Sequence, residues 1–291
     1  MPTVVELLEL LDLEPLEVNL FRGRNPSAAW PTRFHRVFGG QVLAQALVAA
    51  ARTIEDIAAH SLHAYFILPG DPAAPIVYEV ERVRDGRSFA TRRVVAIQHG
   101  RPIFIMSASF HRDEPGYDHH FPLPAGVPAP EDLPDLRTLA ADALPLLPER
   151  VRQYWLRPRP IELRPVDLDR YFGHPPAEAR QHVWFRAAGA MPDAPALHQA
   201  VLAYASDMTL LETTLAAEGV SVLSDSIQAA SLDHALWLHR PFRADDWLLY
   251  SQDSPSAHGA RGLARGLIHD RAGRLVASVA QEGLIRPVPS L

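Results

Sequence analysis

GRSFATRRVVAIQHGRPIFIMSASF (86–110) and GARGLARGLIHDRAGRLVASVAQEG (259–283) align without a gap at a constant offset of 173 residues. Each stretch is rich in β-branched and aromatic residues in near two-residue alternation, the pattern of a half-buried strand. QHG (98–100) and DRAG (270–273) supply the turn residues of a hairpin. Each stretch therefore reads as a pair of long antiparallel strands. Upstream, SLHAYFILPG (61–70) lines up with SLDHALWLHRP (231–241) as a further strand.

An Ala-rich helix precedes these strands in both halves: Gly40–Ile54 in the first and Ala196–Ala217 in the second. Extended stretches precede each helix: EVNLFRG (17–23) and RFHRVF (33–38), then PIELRPV (160–166) and RQHVWFRAAG (180–189). The chain is thus predicted to be α+β, two copies of one unit at 1–112 and 160–291. Between them, 113–159 is Pro-rich and reads as a linker. Its LPLLPERVRQYWLRP (144–158) suggests a short helix, with Trp155 anchored on a sheet face. One half cannot cover both of its sheet edges, so the halves are expected to pack side by side and continue the sheet.

The second helix carries the feature that asks for chemistry. ALHQAVLAYASDMTLLETTLAAEG (196–219) has no Gly or Pro before Gly219 and reads as one helix. From Ala196 to Leu211 it is apolar almost all round, as a buried helix is. Asp207 sits in its middle. A buried carboxylate must find partners or take up a proton.

Two further polar residues lie on apolar faces. Alternation puts Gln281 on one face with Leu275, Ala277 and Val279, and Ser231 with Ile227, Ala229, Ala235 and Trp237. Either these groups converge with Asp207 on one site, or each bonds separately to backbone. Asp233 and His234 form a competing acid–base pair. Neighbours on a strand point to opposite faces, so without a bulge they make no dyad. Asp233 reads as a structural partner and His234 as facing elsewhere. His60 and His63 lie on the related strand of the first half. Asp118-His119-His120 reads as a solvated loop, with no third metal ligand in view.

Composition removes several classes. The chain has no Cys and no Lys, so all 28 of its cations are Arg. Disulfides, thiolate nucleophiles, Schiff-base lysines and Walker A lysines are excluded. A net charge of −6 without a basic stripe argues against a nucleic-acid surface. There is no G-x-S-x-G, no G-x-G-x-x-G after a strand and no H-E-x-x-H. No run approaches the ~20 apolar residues of a membrane span. The acidic start MPTVVELLELLDLEPLE reads as an amphipathic helix, not a signal peptide. The final Pro289-Ser290-Leu291 lacks the basic residue of a peroxisomal tripeptide. A cytoplasmic protein without metal or cofactor is expected.

Several long motifs, in order, resemble the acyl-CoA thioesterase II family of double hotdog proteins. They are RVFGGQVLAQAL (36–47) and HSLHAYFILPGD (60–71), then HQAVLAYASDMTLL (198–211), LDHALWLHRPF (232–242), WLLYSQDSPSAHGARG (247–262) and VASVAQEGLIR (276–286). The resemblance covers nearly the whole chain. It implies a long helix wrapped by an antiparallel sheet, repeated twice, and hydrolysis of acyl-CoA. It also implies an Asp, a Thr and a Gln that position and activate a water. Asp207 and Gln281 match two of these, and Ser231 stands where the family has Thr. A homo-oligomer is implied as well. One site per chain is expected: 18–54 holds no Asp or Glu, and Ala108 stands at the first-half position of Gln281. Two rivals remain, a hotdog enoyl-CoA hydratase or dehydratase using one of the three His, and a non-catalytic acyl-CoA-binding protein.

Overall fold

The computed structural model describes residues 3–26, 36–133, 159–167, 178–222 and 224–288, together with 149, 152, 153 and 176. Trp155 and nearly all of the expected linker helix lie outside the described residues, as do 33–35 of RFHRVF. Residues 36–38 are not strand but the lead into a helix.

The chain starts with α1 (Val4–Leu11). Thr3 Oγ accepts the Glu6 N–H, and the Glu6 carboxylate accepts the Thr3 N–H. This reciprocal cap satisfies two donors that a helix start leaves open. A short hairpin follows, β1 (Glu14–Glu17) and β2 (Leu20–Gly23), then α2 (Gly39–Ala51). Next come β3 (Ala58–Phe66), β4 (Ile76–Asp85), β5 (Phe89–Gln98) and β6 (Arg101–His111). The second half contributes β7 (Ile161–Pro165), β8 (Arg180–Ala187) and α3 (Pro195–Ser206). It ends with β9 (Ile227–Ser231), β10 (Asp233–Leu238), β11 (Leu248–His258), β12 (Arg261–Asp270) and β13 (Leu275–Pro287).

All strands join one antiparallel sheet in the order β1-β2-β4-β5-β6-β3-β10-β13-β12-β11-β8-β7, with β9 beside β13. The order runs outward from its middle in matching steps: β3 and β10, then β6 and β13, β5 and β12, β4 and β11. The two hairpins found by the sequence offset occupy corresponding places. β3 pairs with β10 through Leu62–Leu236 and His63–Ala235, so the sheet is continuous across the middle.

Helix α2 lies against β3, β4, β5 and β6 and against α3. Its Leu43, Ala44, Ala46 and Leu47 are buried. Each buried Leu side chain contributes about 2 kcal/mol by leaving water. Small residues let the helices meet closely: a Cβ on Gly40 would stand 2.5 Å from the Tyr204 carbonyl oxygen.

Three elements differ from the sequence expectation. The first helix ends at Ala51, because Arg52–Ile54 form a closing turn with Thr53 N–H on Ala50 O. The second helix is not continuous over 196–219. It ends at Ser206, with Asp207 as C-cap, and resumes after a turn as a 3-10 helix over Leu211–Glu218. The cause is a set of competing bonds from the sheet. Gln181 Nε2 donates to Thr209 O, and Gln252 Nε2 donates to Thr209 Oγ1. Thr213 Oγ1 donates to Gln252 Oε1. The 3-10 segment lies on β8, β11, β12 and β13.

The third difference is a slip in register. Ser231 stands opposite Gly283, but Ala235 stands opposite Ala280. One extra residue, at Leu232, separates β9 from β10. Such an insertion flips the faces of everything beyond it. Ser231 therefore does not share its inward face with Ala235 and Trp237; His234, Leu236 and Leu238 are the buried set.

Candidate active site

Three residues distant in sequence meet where α3 ends. The break after Ser206 turns the Asp207 carboxylate out of its own helix and toward the start of α2. There it accepts the backbone N–H of Gly40. Phe38, the N-cap residue of α2, gives it no side-chain cap. Asp207 supplies the missing acceptor, and the positive end of the helix dipole favours its charge. Gly39 is required beside it, since a Cβ there would stand 2.8 Å from Asp207 Oδ2.

Strand β13 brings in Gln281, fully buried on the face shared with Leu275, Ala277 and Val279, as alternation predicts. Its Nε2 donates to Asp207 Oδ1 at 2.7 Å and to Ser231 Oγ at 2.8 Å. Ser231, at the end of β9, also hydrogen-bonds the Asp207 carboxylate. Gln281, Ser231 and Asp207 thus form one connected set, the convergent alternative among those open in the sequence.

The carboxylate is only 5% exposed. Burial pushes Asp207 up to about 6, against the lowering effects of Gln281, the Gly40 N–H, the Arg36 charge and Ser231. A group in this range is largely ionised at neutral pH and can still accept a proton. Arg36 donates to Ala229 O at 3.1 Å, which ties the segment before α2 to β9.

His234 is a correction to the sequence reading. The slip at Leu232 turns it inward, where it is fully buried. Its Nε2 is 2.9 Å from Ser206 Oγ, and its Nδ1 is 3.9 Å from Asp207 Oδ1. Burial pushes the imidazole down to about 3, so it is neutral. Asp233 is a structural partner, accepting the Glu282 N–H at 2.6 Å. His60 bonds Ser109 Oγ at 2.8 Å, and His63 packs edge-on against Trp237. Neither meets Asp207. Asp118 pairs with Arg240, and His119 offers Arg240 its carbonyl.

Sequence reasoning missed the part played by Gly39, Gly40 and Arg36. The only signal was that they lie in one of the motif stretches, RVFGGQVLAQAL.

The continuous antiparallel sheet over a helix pair is shared with solved thioesterase II and hot dog fold structures. Residues 153–284 match the family model described as acyl-CoA thioesterase, and 26–111 match that of the acyl-CoA thioesterase N-terminal domain. Acyl-coenzyme A thioesterase 8 of Mus musculus is 42% identical over 99% of this chain and 91% of its own length. The crystal structure of acyl-CoA thioesterase II TesB2 from Mycobacterium marinum is 44% identical. It superposes with a TM-score of 0.78, covering 97% of this chain and 98% of that one. A hot dog fold protein from Alicyclobacillus acidocaldarius, 19% identical, has the same fold at a TM-score of 0.77 over 97% of both chains. The chain belongs to the acyl-CoA thioesterase family.

Proposed function

We propose that this chain hydrolyses acyl-CoA to a free acid and CoA with Asp207 as general base. Asp207 takes a proton from a water held beside Ser231 and Gln281. The water oxygen attacks the thioester carbonyl carbon, the C–S bond of the tetrahedral intermediate breaks, and the thiolate leaves with the proton from Asp207. No covalent intermediate is needed. The observation that carries this reading is the shared donor: one Gln281 amide nitrogen bonds both the buried carboxylate and the Ser231 hydroxyl. The experiment is release of free thiol from a panel of acyl-CoAs by the wild type and by Asp207→Asn.

The hydratase or dehydratase reading needs a His within reach of substrate. His60 and His63 are engaged on the outward face, and His234 is fully buried and neutral. The same geometry favours turnover over mere acyl-CoA binding, because burial lifts the Asp207 carboxyl into the range where it can take a proton from water.

The proposal includes the double hotdog organisation, units at 1–112 and 160–291 joined by 113–159. The matching strand order about β3 and β10 supports it. It also includes one site per chain and a cytoplasmic homo-oligomer. Ala108 is buried where Gln281 lies in the second half. Apolar residues left exposed on the sheet, Tyr65, Val83 and Phe89, favour association. No helix among the described residues is long and apolar enough to cross a membrane.

A further inference from the structure

His234 and Gln281 stand opposite one another across β10 and β13, one step along the ladder from the Ala235–Ala280 pair. Both side chains are fully buried, and each carries an atom with no hydrogen-bond partner, His234 Nδ1 and Gln281 Oε1. The hydrogens around them are already assigned by their neighbours. Ser206 Oγ donates to Ala203 O at 2.9 Å, so it accepts from His234 Nε2–H. That leaves Nδ1 as a bare acceptor. Gln281 Nε2 donates to Asp207 and Ser231, so Oε1 is also an acceptor. Asp207 Oδ1, 3.9 Å from Nδ1, already accepts from Gln281 Nε2.

Buried acceptors without a donor are costly, and the separation of Nδ1 and Oδ1 is too long for a direct bond. What such a cluster fits is a small neutral group with two hydrogens to give. We propose that a resident water on the inner side of Asp207 donates one hydrogen to His234 Nδ1 and the other to Gln281 Oε1, and that His234 is thereby a positioning residue for the base. This rests on the reading of Asp207 as base. The resident water is distinct from the nucleophile, since His234 is closed to solvent. By donating to Oε1 it fixes which way the Gln281 amide points, which keeps Nε2 on the Asp207 carboxylate and so favours its ionised form.

The titratable groups that face Asp207 are Arg36 ahead of α2, Tyr250 on β11 and His234 on β10. Burial raises Tyr250 further above its ordinary range, and Arg stays protonated, so the acid limb of the rate profile reports Asp207.

Two substitutions separate the nitrogens. His234→Asn keeps an acceptor at the place of Nδ1, and His234→Gln keeps a partner for Ser206 at the place of Nε2. The Asn variant is expected to keep kcat within a few-fold and an unchanged acid limb. The Gln variant should lose roughly tenfold in kcat at constant KM, with its acid limb moved to higher pH, as loss of a bond to a charged group requires. A Gln variant with the wild-type profile, or an Asn variant as impaired as Gln, would overturn the positioning role. A high-resolution crystal structure of the wild type supplies a test that needs no variant to fold. Density for a water in bonding range of His234 Nδ1 and Gln281 Oε1 supports the proposal, and its absence sinks it. Residual hydrolysis by Asp207→Asn would count against the base, and the wild-type density would still decide the water.

Discussion

Asp207, the residue that closes one central helix, accepts the backbone N–H of Gly40 at the start of the other. A single carboxylate thus serves as cap for α2 and as the ionisable centre of the site. Burial and capping act on its proton in opposite directions, and the balance leaves it near 6.

Asp207→Asn keeps the shape and loses the proton acceptor. A general base contributes about 10²–10⁴-fold, so kcat for thiol release should fall by at least 10²-fold. Circular dichroism should stay native.

Stability should carry a matching pH signature. Asp207 sits at about 6 in the folded chain and near 3.9 in the unfolded one. Between these values the folded state binds the proton more tightly, so stability falls as pH rises. The cost is absent below about 4 and complete above about 6, on the order of 2–3 kcal/mol. Asp207→Asn lacks this slope. Denaturant melts at pH 4 and pH 7 should show the variant gaining on the wild type by about that amount.

The activity profile follows from the same group. kcat/KM should drop with unit slope below about pH 6 and stay level through neutral pH. A pH-rate series in constant ionic strength measures it, and an acid limb near 4 would contradict the desolvated carboxylate.

Ser231→Ala removes a hydroxyl bonded to Gln281. By analogy with losing one oxyanion-hole donor, it should cost roughly 2–4 kcal/mol in the barrier, on the order of 10²-fold in rate. Ser231→Thr keeps the hydroxyl and should stay active, with a shifted chain-length preference. Intact mass after rapid quenching should show no acylated chain.

Gly39→Ala places a methyl 2.8 Å from Asp207 Oδ2 and 2.9 Å from the Phe66 ring. The carboxylate must move, and a shift of around 1 Å in a reacting group costs on the order of 10²-fold. kcat should fall with only a modest loss of melting temperature, since both neighbours are side-chain atoms able to give.

Much of this was legible beforehand because it depends on local pattern. The offset of 173 residues located both hairpins, β5–β6 and β12–β13, and alternation put Gln281 on the inward face. The break after Ser206 was not legible, since Ala196–Ala217 has helical composition throughout. Gln181 and Gln252, on strands β8 and β11, take the turn's polar groups away from the helix. The slip at Leu232 escaped for the same reason: alternation describes an unbroken strand, and a bulge is set by the partner strands.

The sequence by itself determined the α+β class, the repeat and the polar residues that had to be satisfied, because periodicity and burial follow from side-chain chemistry. Only the tertiary structure decided that Asp207 leaves its helix, caps Gly40 and meets Gln281, and that His234 turns inward beside it. Those outcomes depend on bonds between segments far apart in the chain, and the energy of such a bond is fixed only when packing brings its two ends together.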